Sequence, residues 1–181
     1  MTMVFEELNA ATRAMMLQEL ERELRGATPY LGKGLSAPGR SAFPDLMRAA
    51  VQAGDDGTLF AALNRADFWS PTEEYVRDGT TRTRNVNVAQ TSERLASSEF
   101  NTWYVRGLSR LLKDQGIAKC QAYRAAQPKW EPGECQQHEG QIYDVDLIYM
   151  GHRARYWPVA NPAAFSVPFG PGCHHTIRRY P

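Results

Sequence analysis

Three Cys and four His are nearly all of the side chains that could bind a soft metal ion here, and most lie in the last third of the chain. Structural zinc sites use four nitrogen or sulfur ligands, commonly from two paired clusters. Cys135 and His138 have the spacing of a first pair, Cys173 with His175 would supply the second, and His152 lies between them. The alternative makes the thiols small buried apolar groups and the imidazoles hydrogen-bond donors to the backbone. The sequence favours packing and leaves a structural zinc ion open, with no other cofactor expected.

No catalytic motif accompanies these Cys and His residues. The chain lacks HExxH, GxSxG and a Gly-rich phosphate loop that opens a helix. Asp144 and Asp146 are close in sequence, but a helix N-cap and a solvated carboxylate account for them. We therefore expect a protein that is not an enzyme. The alternative is a zinc-dependent enzyme or nuclease that uses the Cys and His cluster.

The composition is typical of a globular protein and argues against several functional classes. Of 181 residues, 43% are hydrophobic, which is enough for one domain or two small ones. Lys and Arg number 21 against 20 Asp and Glu, whereas a protein that coats nucleic acid is usually basic. Three Cys argue against a disulfide framework, so folding in a reducing cytoplasm is expected. Residues 1–24 are too acidic and amphipathic for a signal peptide, and no apolar run could span a bilayer, so no membrane partner is predicted.

Residue periodicity predicts an α+β fold that is mainly helical in its N-terminal two-thirds, with a smaller, irregular, Pro- and Gly-rich C-terminal region containing short strands. Asn9 is a suitable N-cap for the first helix. Helices are predicted over residues 10–25, 44–53, 56–64, 88–96 and 98–115, with a loop over 26–40 and a strand over 117–126. Residues 143–152 also look regular, with a short helix after Tyr143-Asp144. The pattern indicates three regions: an N-terminal helical region (1–68), a polar basic arm or linker (69–87), and a long helix with a small α+β region (88–181).

The two predicted helices that meet near Ser98 also fit a helix-turn-helix DNA-binding protein. A recognition helix that begins there would expose Glu99, Asn101 and Thr102. The aromatic residues of the same segment are typical of a core, however, and the carboxylate of Glu99 would repel phosphate. DNA binding of this type is therefore kept as an alternative hypothesis.

One block of the sequence resembles an uncharacterised family encoded in the head modules of tailed bacteriophages and prophages. In that family a helix of the type EFNxxYxRxL precedes a Gly and then a strand ending in YRA. The matching residues here are Glu99, Phe100, Asn101, Tyr104, Arg106, Leu108, Gly116, Tyr123, Arg124 and Ala125. The segments LGKGLSAPGR, AFPDLMRAAVQAGDD and PFGPGCHHTI are similar too. A second resemblance links Cys135-x-x-His138 and GPGCHH to the paired Cys and His segments of Mu F-type minor head proteins.

The resemblance implies a virion structural protein of the head, such as a minor head, capsid-associated or head–tail connector protein, assembled in the host cytoplasm. Its implied partners are other virion proteins (capsid, portal or neck subunits) and further copies of itself. Arg82 and Arg84 of the arm are the expected contacts to a neighbouring subunit or to packaged DNA. Trp130, Trp157 and Phe169 are expected either to be interface anchors or to form the small C-terminal core.

Overall fold

The computed structural model describes residues 2–127, 134–151, 154–155, 157–170 and 172–180. The helices are α1 (Ala10–Leu24), α2 (Ala37–Ala53), α3 (Asp56–Leu63), α4 (Val88–Asp114) and α5 (Val145–Gly151). The strands are β1 (Thr72–Arg77), β2 (Thr80–Asn85), β3 (Lys119–Arg124), β4 (Ile142–Asp144) and β5 (His175–Arg179). Short 3-10 turns cover Ala66–Phe68 and Glu134–His138. The predicted α+β fold, helical in its N-terminal part, is confirmed.

The 27-residue helix α4 forms the centre of the core, because much of its length is buried. The prediction of two helices that meet near Ser98 is wrong, since α4 is continuous. The hydroxyls of Ser97 and Ser98 lie 3.4 Å from the carbonyl oxygens of Arg94 and Leu95, so the helix accommodates both turn-favouring residues. Burial of side chains such as Phe100, which is 0% exposed, outweighs the weak helix preference of serine.

The continuity of α4 removes the turn that a helix-turn-helix motif requires. Glu99, Asn101 and Thr102, which that hypothesis places on an exposed face, are 5%, 0% and 9% exposed. Asn101 Nδ2 donates a hydrogen bond of 2.8 Å to the backbone oxygen of His175. These three side chains are therefore buried, and this segment cannot present them to DNA.

Helix α1 packs along α4 more extensively than any other described pair of elements packs together. Asn9 caps its first turn as predicted, with Oδ1 accepting a hydrogen bond of 3.0 Å from the Thr12 amide. Gly107 permits the close approach, because a Cβ at this position would lie 2.6 Å from the Met16 amide nitrogen. The carboxylate of Glu19, which is 0% exposed, adds ion pairs to arginines of α4.

Helix α2 begins at Ala37, earlier than the predicted start at Pro44, so the loop predicted before it is too long. Ser36 is the N-cap, and its hydroxyl oxygen accepts a hydrogen bond of 3.3 Å from the Gly39 amide. Pro38 lies in the first turn, where a backbone N–H has no partner within the helix. Ser36 and Pro38, which can also indicate a loop, therefore mark the start of a helix.

A three-stranded antiparallel sheet in the order β4–β3–β5 lies beside α4, which contacts both α5 and β5. Strand β3 and helix α5 confirm the strand and the short helix predicted for this part of the chain; the last residue of that predicted helix, His152, lies outside the described residues. Strand β5 was not predicted. It pairs with β3 in a register that places Ala122 opposite Ile177. Flanking Pro and Gly residues hide this strand in the sequence.

Candidate metal centre and exposed hairpin

Cys135, Cys173 and His175 meet between the 3-10 turn Glu134–His138 and the start of β5. Cys135 lies in that turn, Cys173 lies in the loop before β5, and His175 is the first residue of β5. Their potential ligand atoms all lie within 4.8 Å of one another. The structure therefore brings together three of the four residues that the sequence places in a metal site.

The backbone before β5 directs Cys173 and His175 to one side, because alternate residues of an extended chain face the same way. Gly172 precedes them with a φ of 75°, a left-handed conformation that favours glycine, and the Cys173 amide donates to the Gly170 carbonyl at 3.1 Å. The His175 amide nitrogen lies 3.4 Å from Cys173 Sγ. The hydrogen bond from Asn101 to the His175 carbonyl, 2.8 Å long, holds this segment against α4.

The two ring nitrogens of His175, which is 0% exposed, face different groups. Nδ1 lies 3.5 Å from Cys173 Sγ, and Nε2 lies 3.7 Å from a carboxylate oxygen of Glu139. Arg124 binds the same carboxylate at 2.8 Å, and its hydrogen bond holds the pKa of Glu139 below the ordinary value. Burial and the charge of Arg124 lower the pKa of His175. The imidazole is therefore neutral at pH 7, which is the form that binds metals. Burial also raises the pKa of the Cys173 thiol.

His138, the fourth predicted ligand, lies beside this cluster and does not join it. Its Nδ1 is 2.6 Å from the hydroxyl oxygen of Tyr143, and its ring stacks on Phe169 with centroids 4.1 Å apart. Phe165 adds a third ring, 5.9 Å from His138. Phe169, one of the predicted interface anchors, is thus half-buried in an aromatic group next to the metal ligands.

Strands β1 and β2 form a two-stranded antiparallel hairpin, called here the exposed hairpin (residues 72–85). Neither strand has more than marginal contact with any other described element, and every residue of β2 is exposed. Arg84 binds Glu73 across the hairpin at 2.7 Å, and its guanidinium lies 5.1 Å from the centre of the Tyr75 ring. Arg82 is opposite Tyr75 in the strand register. The predicted arm therefore has the conformation of a hairpin.

The two faces of the exposed hairpin differ in chemistry. One face, called here the Thr/Val face, consists of Thr72, Glu74, Val76, Thr81, Thr83 and Asn85. It carries one charged side chain, and Val76 on it is 70% exposed. The opposite face carries the pair of Glu73 and Arg84. Across residues 72–85 the three acidic side chains cancel the three arginines. The hairpin is therefore electrically neutral as a unit.

The two tryptophans among the predicted interface anchors have different positions. Trp130 lies outside the described residues. Trp157 is 43% exposed, donates from Nε1 to the Thr28 carbonyl at 3.1 Å, and meets the Tyr30 ring edge-on at 5.7 Å. It lines a cleft of about 880 Å³ together with apolar side chains such as Val167. More than half of the Trp157 surface is thus already covered within the chain.

Two residues beside the metal cluster, Glu139 and Arg124, were not predicted from the sequence. Arg124 reaches the cluster because it is the partner of His175 in the β3–β5 ladder. No sequence motif connects these positions, since the long-range strand pairing alone brings them together. The adjacency of Glu139 to His138 was the one available signal.

A scan against protein-family models and searches of curated proteins and of solved structures found no match to this chain. Among the described residues, no helix combines the length and the apolar character needed to cross a membrane. The resemblance to phage head proteins therefore stays a prediction.

Proposed function

We propose that this chain is a structural protein of a bacteriophage head and that it acts by docking on neighbouring virion subunits. The exposed hairpin is the observation that carries the proposal, because it is a regular element with at most marginal contact with the other described helices and strands. The motif resemblance supports the choice of particle. Capsid, portal or neck subunits, or further copies of the chain, are the proposed partners, and docking requires no catalytic step.

An isolated two-stranded hairpin is at best marginally stable in water, because it has no second layer on which to bury its side chains. Both of its outer strand edges also leave backbone N–H and C=O groups unpaired. A partner that adds a strand to an edge, or that packs on the Thr/Val face, would satisfy these groups and bury Val76. The hairpin therefore has the properties of a docking element.

The charge of the exposed hairpin favours a protein partner over packaged DNA. Binding to DNA gains its strength from uncompensated Lys and Arg side chains, which displace the counterions of the phosphates. Here Arg84 is already paired with Glu73, and the charges of residues 72–85 sum to zero. A neutral, β-branched surface suits a protein partner, where desolvation of charge is costly.

Removal of the exposed hairpin tests the proposal. Thr72 and Asn85 are cross-strand partners, so a Gly-Gly link in place of residues 73–84 closes the gap. We expect an unchanged circular dichroism spectrum and thermal midpoint, because little packing is lost. Incorporation into purified heads, measured by quantitative mass spectrometry against the major capsid protein, should fall at least about tenfold, equivalent to about 1.4 kcal/mol of binding free energy. Normal incorporation would contradict the docking role, and absence of the wild-type chain from heads would contradict the choice of particle.

Single substitutions then identify the face and the partner. Val76→Asp places a charge on the Thr/Val face and should reduce incorporation, whereas Arg77→Ala, equally exposed on the opposite face, is the matched control. The double variant Arg82→Ala with Arg84→Ala should leave DNA retention in the heads unchanged. If DNA retention fell while incorporation stayed normal, packaged DNA would be the partner and the protein-docking proposal would be wrong.

A further inference from the structure

The geometry points to a zinc site formed by Cys135 Sγ, Cys173 Sγ and His175 Nδ1. In this site the Nε2–H of His175 donates a hydrogen bond to Glu139. The ion fastens the 3-10 turn Glu134–His138 to the first residue of β5, and so holds together two parts of the C-terminal region. The inference is independent of the docking function proposed above, because no residue of the exposed hairpin takes part.

The spacing of Cys173 Sγ and His175 Nδ1 matches that of two ligands in a tetrahedral zinc site. With Zn–S of about 2.3 Å and Zn–N of about 2.0–2.1 Å, a sulfur and a nitrogen ligand lie about 3.6 Å apart and two sulfur ligands about 3.8 Å apart. Cys173 Sγ and His175 Nδ1 are 3.5 Å apart. All three ligand atoms lie within 4.8 Å of one another. A metal ion therefore requires only small side-chain rotations.

The surroundings of His175 indicate which ring nitrogen binds the ion. Its Nε2 is buried and has no hydrogen-bond partner among the described residues at normal distance, a costly arrangement for a polar atom. The nearest carboxylate oxygen, on Glu139, lies 3.7 Å away and is held by Arg124. A metal on Nδ1 places the proton on Nε2, where it points to this carboxylate. Metal-bound histidines generally use their second nitrogen in this way.

The chemistry of the three ligands selects the kind of metal. Thiolate and imidazole ligands suit Zn²⁺, whereas Ca²⁺ and Mg²⁺ prefer oxygen ligands. The backbone N–H of His175 lies 3.4 Å from Cys173 Sγ, where it can donate to a metal-bound sulfur. Three protein ligands leave one coordination position for a solvent molecule or a fourth protein ligand. His138 does not fill it in the observed conformation, because Tyr143 and Phe169 hold its ring elsewhere.

The first measurement is the metal content of reduced, native protein purified without chelators, by plasma mass spectrometry. We expect about one zinc ion per chain, the stoichiometry of a single site. Replacement of zinc by Co²⁺ should produce the charge-transfer band of a two-thiolate site together with the strong visible bands of tetrahedral cobalt. A metal content well below about one, or a cobalt spectrum without thiolate bands, would overturn the assignment.

Variants then identify the ligands. Cys135→Ser, Cys173→Ser and His175→Gln should each lose the zinc ion. Cys120→Ala is the matched control, since it removes a buried thiol outside the cluster, and His138→Gln should also keep the metal. Loss of zinc from His138→Gln would contradict the three-ligand assignment. Circular dichroism verifies that each variant folds. If a ligand variant does not fold, chelator titration of the wild-type chain still measures whether the folded protein binds zinc.

Glu139→Gln tests the orientation of the imidazole. Loss of a carboxylate that supports a metal-bound histidine commonly reduces metal affinity about 10–100-fold. We expect a reduction in this range in competition with a chromophoric chelator, with the stoichiometry unchanged at saturating zinc. Glu6→Gln removes a similarly exposed carboxylate that pairs with Arg178 at a distance from the site, and is the control. Equal affinities for Glu139→Gln and the wild-type chain would refute Nδ1 coordination supported by Glu139.

Discussion

Asp56, the first residue of α3, holds the N-terminal segment of the chain in place. Its carboxylate is 2% exposed and accepts hydrogen bonds of 3.1 and 3.3 Å from the Met3 amide. Burial, assisted by the charge of neighbouring Asp55, raises the pKa of Asp56 from 3.8 to about 6, and the hydrogen bond from Met3 only partly opposes this. Asp56 therefore carries its charge at pH 7 at the expense of stability.

The direction of the pH effect follows from proton binding. Between pH 3.8 and about 6, folded Asp56 holds a proton that the unfolded chain has released. The stability contributed by this bound proton is therefore complete below the unfolded pKa of Asp56 and is lost as the pH rises through the folded pKa. The difference between 3.8 and about 6 corresponds to about 3 kcal/mol at 1.36 kcal/mol per pKa unit.

Asp56→Asn removes the ionisation and keeps an oxygen that can accept from Met3. We expect the variant to exceed the wild-type free energy of unfolding by about 1–3 kcal/mol near pH 7, with the gap closing near pH 4. Urea titrations across this range measure the gap. Asp45→Asn is the control, because Asp45 is 84% exposed and should show no such trend. A gap of constant size, or an Asp56→Asn variant less stable than wild type near pH 7, would refute the reasoning.

Two further substitutions test the contact between α1 and α4. Glu19→Gln should lower the free energy of unfolding by about 3 kcal/mol, because Arg106 and Arg110 share its buried carboxylate. Burial alone would raise the pKa of Glu19, but Arg110 and Arg106 hold it below 4.5. The wild-type chain should therefore lose this contribution to stability as the pH falls through that lowered pKa. Equal acid sensitivity of the variant and the wild-type chain in urea titrations would contradict a stabilising role of these ion pairs. Gly107→Ala should cost about 1–3 kcal/mol, because the added Cβ lies 2.6 Å from the Met16 amide nitrogen. A gain in thermal midpoint, as helix propensity alone would give, would contradict that close packing.

Local signals predicted the fold where one residue decides the local conformation. Asn9 caps α1 through its own side chain, and Gly116 follows α4 with a φ of 71°, so both boundaries can be read from the sequence. The predictions failed where packing decides. Ser97 and Ser98 suggest a turn, yet they lie inside α4 because the helix is buried on both sides of them. The early start of α2 was missed because a proline such as Pro38 fits a first helical turn as well as a loop.

In the candidate site too, local spacing was predictable from the sequence and long-range packing was not. Cys173 and His175, which the sequence places in one ligand pair, do lie 3.5 Å apart, because alternate residues of an extended segment share a side. The sequence could not place His138, because its position depends on stacking against Phe169 from a distant part of the chain. Nor could it reveal Glu139, whose approach to His175 requires the register of β3 and β5.

Two irregular segments of the described chain are fastened to its core, in contrast to the exposed hairpin. The N-terminal segment is bound to β3, since the Val4 amide donates to the Ala125 carbonyl at 2.8 Å. The segment before β5 is bound to α4 by the 2.8 Å hydrogen bond from Asn101 to the His175 carbonyl, and the proposed zinc ion adds a further link. The exposed hairpin has at most marginal contact with the other described helices and strands, and the docking partner proposed above would cover it.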